Sequence, residues 1–186
     1  MTSNNHSLLR TLTVGFFACL LGCLVLTAAP SEAHAANVIK QPGAHNHYSW
    51  ELEPHLAVRW GRWYDNGAGV GPGIRASIPF MHNGPIDTIN NNIGISFGLD
   101  TYFFNNSVVG WSAPVAFQWN FYFTEVISVL GEVGLHSELD VATNGGGDRF
   151  DVYPLFQGGG RFQWDRIGVL VRLGWPGASV GCNIQF

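Results

Sequence analysis

Charge is what this sequence has least of. Only 12% of its 186 residues are Asp, Glu, Lys or Arg, about half the ~25% of an average globular chain. Lysine occurs once, at Lys40, so there is no basic face of the kind that nucleic acid requires. Cysteine is nearly absent: Cys19 and Cys23 lie in the N-terminal apolar stretch and Cys182 stands alone beyond it, which excludes a disulfide framework. Long apolar runs are also missing after Ala29, so no segment there reaches the ~20 residues of a membrane helix. Glycine and aromatics are plentiful, with 24 Gly and 13% Phe, Trp and Tyr. A chain too apolar for a soluble surface, yet without spanning helices, points to a membrane β-barrel, whose alternation hides it from a hydropathy scan.

The first residues read as a targeting signal. Arg10 precedes an apolar run from Leu12 to Ala29, and Ala33-His34-Ala35 supplies the small residues of a cleavage site. The expected division is a signal peptide over 1–35, an N-terminal periplasmic segment over 36–47 and the barrel over 48–186. Leu20-Leu21-Gly22-Cys23 also resembles a lipobox, but Leu24-Val25-Leu26 follows where a polar tether is needed.

Period-2 patterning carries the fold assignment. In 92–103, Ile93, Ile95, Phe97, Leu99, Thr101 and Phe103 share one face, and Asn92, Gly94, Ser96, Gly98 and Asp100 the other. The same alternation runs through 111–121, 166–175 and 179–186, and more noisily through 48–60, 70–80, 125–136 and 152–164. Eight such segments, each near the ~9–11 residues of a tilted membrane strand, predict an all-β, eight-stranded antiparallel up-and-down transmembrane β-barrel. Short turns fall near Phe123-Thr124 and Trp164-Asp165-Arg166, and the Gly-rich stretch 137–150 reads as a long outer loop. The connection 81–91 is longer than a periplasmic turn usually is. Trp60, Trp63, Trp111 and Trp175 fall near outer strand ends, and Trp50, Tyr122 and Trp164 near periplasmic ends, as interfacial belts do.

The polar faces collect Glu51, Glu53, His55, Arg59, Arg75, Asp100, Glu132, Arg161, Arg166 and Arg172. The interior of an eight-stranded barrel is just wide enough for side chains to fill, and enclosed charges must pair. The expected result is a plugged lumen in which Glu51, Glu53, Arg59, Arg75, Asp100, Glu132, Arg161 and Arg172 form a charge network; a narrow pore or proton path is the functional alternative. His45, His47 and His55 lack the spacing of a helical zinc site, so a solvated N-terminal segment is expected and no metal or cofactor. Ser137, beside His136 with Glu138 and Asp140 close by, is the one candidate nucleophile. Alternation sets such neighbours on opposite faces. Gly158-Gly159-Gly160 has no helix after it to complete a phosphate site. Cys182 falls on the apolar face of the last segment, as an inert lipid-facing thiol.

The C-terminus Ser179-Val180-Gly181-Cys182-Asn183-Ile184-Gln185-Phe186 resembles the β-signal that ends outer-membrane barrels. The resemblance implies recognition by the barrel-assembly machinery, with Gly181, Ile184 and Phe186 at the pattern's positions. The chain after the signal looks like small barrels of the OmpA/OmpX type. Around 88–91 and 94–100 it is also similar to uncharacterised myxobacterial-type outer-membrane proteins. These likenesses imply a bacterial outer-membrane location and outer-membrane lipid as surroundings. The role they leave open is structural, adhesive or another surface interaction with an unknown ligand. Two rival classes remain: a lipid A-modifying outer-membrane enzyme, and a soluble periplasmic barrel with the opposite alternation that encloses a small apolar ligand.

Overall fold

The computed structural model describes residues 37–60, 67–104, 108–143 and 147–186. The expected signal peptide, the lipobox and residues 63–66 of the first outer loop lie outside them. Eight strands follow one another: β1 (Glu51–Arg59), β2 (Gly69–Met81), β3 (Asn91–Phe104), β4 (Val108–Tyr122), β5 (Ile127–Ala142), β6 (Arg149–Trp164), β7 (Ile167–Trp175) and β8 (Gly177–Gln185). Each pairs antiparallel with the next, and β1 pairs with β8, for example Leu56 with Val180, which closes an up-and-down barrel. No helix occurs among the described residues. Closure pairs the strands on both sides around the wall, apart from residues 149–155 of β6, which pair with β5 alone.

The alternation sorts side chains by polarity, inside against outside. On β1, Glu51, Glu53, His55, Ala57 and Arg59 are buried while the residues between them are half-exposed. On β5, Ser128, Leu130, Glu132, His136 and Glu138 are buried, whereas Ile127, Val129, Val133, Leu135 and Leu139 face outward. Leu99 and Leu173, each 63% exposed, are typical of the outer surface. This polarity is the reverse of a soluble ligand-binding barrel, which would keep apolar residues inside.

Strand lengths depart from expectation on one side of the barrel. β5 and β6 have 16 residues each, against nine for β1, β7 and β8. β5 begins at Ile127 rather than Glu125 and continues past His136 to Ala142, and β6 begins at Arg149 rather than Val152. The expected loop 137–150 therefore shrinks to 143–148, because its first residues keep the alternation and pair with β4 and β6. The other end of the barrel carries the connections 82–90, 123–126 and 165–166 together with Phe186; it is called the turn end below, and the opposite one the loop end.

Close strand approach fixes small residues in the wall. A Cβ on Gly134 would lie 2.1 Å from the Val115 carbonyl oxygen and 2.5 Å from Ala116 Cα. Neither atom can move without breaking the β4–β5 ladder. Gly134→Val is therefore expected to destabilise the barrel by about 1–3 kcal/mol, the range for overpacking, read as a lower urea midpoint in detergent micelles. An unchanged midpoint would show that the ladder is slack at this point.

Candidate functional site

Two arrangements carry the polar chemistry: the lumen and a strap across the turn end. All eight residues expected in a lumen network lie inside the barrel, each 5% exposed or less. Arg161 Nη2 bonds Glu51 Oε1 at 2.8 Å. Arg172 Nη1 grips both oxygens of Glu53, and its Nε lies 3.2 Å from Glu132 Oε2. Arg75 Nη1 donates to that same Glu132 oxygen at 2.9 Å. Nearer the loop end Asp100 accepts from His55 Nε2 at 2.8 Å, Tyr102 OH at 3.1 Å and Ser112 Oγ at 3.3 Å. Arg59 Nη2 lies 2.7 Å from Glu138 Oε2, which also accepts from Tyr153 OH. Buried charges are expensive unless paired and hydrogen-bonded. The arginines and glutamates of this network hold one another across the lumen, and Asp100 is held by His55, Tyr102 and Ser112. Arg166, counted with the polar faces in the sequence, instead lies exposed in the β6–β7 turn.

Several members were not singled out from the sequence. Glu138 and Tyr153 belong to the network, as do Ser77, Asn183 and Gln185, whose side chains donate to Glu51. The signal for Glu138 was present: Glu132, His136, Glu138 and Asp140 continue one alternating set. At the turn end, Gln118 Nε2 donates to Asn120, Asn120 Nδ2 to Asn92 and Asn92 Nδ2 to the Tyr122 hydroxyl.

The candidate nucleophile does not meet a base. Ser137 Oγ donates to the Ala113 carbonyl at 2.9 Å, while His136 is 1% exposed in the lumen and stacks on Tyr153. Lipid A from cells expressing Ser137→Ala is expected to match that from cells expressing the unaltered chain. A mass shift that needs Ser137 would reinstate the enzyme.

The expected solvated N-terminal segment is instead folded across the turn end. Residues 37–49 form a strap. Asn37 bridges Thr124, and Val38 N–H donates to the Phe123 carbonyl at 3.0 Å. Asn90 N–H donates to Ile39 at 2.7 Å, Asn46 Nδ2 to the Asp165 carbonyl at 3.2 Å, and Ser49 N–H to Phe186 at 2.7 Å. The strap turns at Gly43, whose φ of 77° lies in the left-handed region that favours glycine. Val38, His45 and Tyr48 are each at most 5% exposed. Burial is the leading cause that pushes the Tyr48 phenol above its usual range. His45 and His47 belong to this strap, while His55 lies in the lumen. Among the described residues no group of three or more His, Cys, Asp or Glu is arranged to hold a metal ion.

The C-terminal pattern closes the barrel. Gly181 packs against His55 and Pro54, with a Cβ position 2.6 Å from His55 Cβ. Ile184 pairs with Leu52 and with Ile167. Phe186 stacks on Trp50 with ring centroids 4.1 Å apart. Cys182 keeps the outward register of β8 but is buried, where the sequence reading placed it facing lipid; Cys19 and Cys23 lie outside the described residues. The glycine run sits in β6: Gly158 and Gly160 take the outward register of Phe156 and Phe162, and Gly159 faces Arg172 and Leu130.

Together these features define a small, closed, eight-stranded antiparallel barrel with an apolar exterior and paired charges inside. The crystal structure of Ail, the attachment invasion locus protein of Yersinia pestis, is similar to it. The match has a TM-score of 0.51 at 12% identity and covers 75% of this chain and 100% of Ail. At that identity the likeness concerns the fold. No protein-family model and no curated protein matches the chain, and the similarity to myxobacterial-type proteins gains no support from these comparisons.

Proposed function

We propose that this chain is a bacterial outer-membrane barrel with an occluded lumen and a structural or adhesive role at the cell surface. The observation that carries this reading is the inverted polarity: paired charges inside and a belt of large apolar side chains outside. Trp111, 56% exposed, Trp60 and Trp175 edge the belt at the loop end, and Trp50, Trp164 and Phe186 edge it at the turn end, where amphipathic rings favour the interface. In this reading residues 1–35 are the export signal, the turn end faces the periplasm, and the C-terminal pattern is read by the barrel-assembly machinery through Ile184 and Phe186. The loop end of the taller side of the wall, β3 to β6, then faces the exterior. The fold shared with a protein named for attachment and invasion supports a surface-interaction role.

The test has two readouts. Purified barrel in planar bilayers is expected to give no stepwise conductance, and regular open steps would replace the occluded lumen with a pore. Bacteria displaying the chain should adhere to matrix-coated surfaces, and should lose that adhesion when 143–148 is replaced by a two-residue turn. Adhesion equal to that of cells without the chain would remove the adhesive role.

A further inference from the structure

The strap is held at four separate places along the turn end, and at its centre lies an imidazole in an uncommon position. His45 Nδ1 donates to Asn90 Oδ1 at 2.5 Å, which leaves Nε2 as the unprotonated nitrogen of the neutral ring. That nitrogen is buried and has no hydrogen-bond partner. One face of the ring lies on Tyr122, with centroids 4.2 Å apart and planes within 5°, and His47 stacks 5.4 Å away. His47 in turn lies 5.5 Å from His82 of the 82–90 connection. The groups facing His45 are therefore His47 from the strap, His82 and Asn90 from the connection, and Tyr122 from β4. The charges that act on His45 are those of His47 and His82, which are cationic when protonated, and no carboxylate is among them.

We propose that His45 makes docking of the 37–49 strap pH-sensitive: the strap is docked while this imidazole is neutral and is released as it takes up a proton. A proton added to Nε2 of docked His45 creates a buried donor with nothing to accept it. Released into water, the same ring meets solvent on both nitrogens. The Asn90 bond favours the imidazolium, as would the face of Tyr122, but burial outweighs them and holds the docked ring below its ordinary value of 6.5. Below that value the released strap binds more protons than the docked one. Docking is thus at full strength above about pH 6.5 and weakens as pH falls toward the docked value. Release would uncover Val38, His45 and Tyr48 and free the turn end of its cover. That this end meets the periplasm rests on the reading above; the switch itself does not.

The experiment is hydrogen exchange on the chain in phospholipid nanodiscs with EDTA present, corrected for intrinsic exchange. Protection of the Val38 and Asn90 amides, which make the strap's bonds, is expected to fall about tenfold or more between about pH 7.5 and about pH 5. The ladder amides of β4 and β5 should hold constant. His45→Phe keeps the stack on Tyr122 without a titrating nitrogen and should lose the pH dependence. Constant strap protection in the unaltered chain, or an undiminished pH dependence in H45F, would overturn the proposal. Should H45F fail to dock, the imidazole resonances of His45 in the unaltered chain decide: a midpoint below 6.5 supports the switch, and one at or above 6.5 overturns it. None of these readouts depends on which compartment the turn end faces.

Discussion

Arg172→Met is expected to cost the barrel about 3–5 kcal/mol, the range for removing one partner of a buried ion pair. Arg172 is wholly buried, grips Glu53 and lies against Glu132. Methionine restores most of the volume, so the loss is electrostatic rather than a cavity. Glu53 is left with His55, whose Nδ1 is 4.0 Å away, and Glu132 with Arg75, Ser96 and one fewer cation. The double variant R172M/E53Q removes both sides of the tighter contact and should recover most of the deficit. Urea titrations of the four proteins in detergent micelles form a double-mutant cycle. Strictly additive losses would mean that the lumen is wet enough to screen these charges.

Val133→Arg is the second large effect. Val133 lies midway between Ile127 and Leu139 on the outer face of β5, half-exposed, and pairs with Phe117 and Phe156. In a bilayer, arginine near the midplane of a barrel exterior costs about 2–4 kcal/mol. On a water-facing surface the same change would stay within about 0.5 kcal/mol. Folding into phospholipid vesicles should therefore suffer by the larger amount, while Gly147→Arg, exposed before the start of β6 with open space at its Cβ position, should change little. A loss at Val133 no greater than at Gly147 would place this surface in water.

How much of this was legible in the residues follows from what each feature depends on. Strand number, closure and the inward set Glu51, Arg75, Asp100, Glu132 and Arg172 are written in period 2, because the two faces of this wall meet opposite surroundings. Which arginine meets which carboxylate is not written there. Glu51 meets Arg161, 110 residues away, only because β1 closes on β8. The upper part of β5 reads as loop in the sequence because Ser137, Glu138 and Asp140 have the composition of a turn, yet they keep the alternation and stay in the strand. The strap was missed for a different reason. Its residues repeat with no period, and the groups that hold Val38, His45 and Ser49 come from turns far apart in the chain, so no local pattern signals that it docks.

The most direct test of the membrane barrel is heat-modifiability on an SDS gel, run on outer-membrane fractions with boiled and unboiled samples in adjacent lanes. The closed, ion-paired barrel should resist the detergent when cold and migrate faster unboiled than boiled, in the outer-membrane fraction. A band confined to the soluble periplasm, with the same mobility in both lanes, would contradict the account.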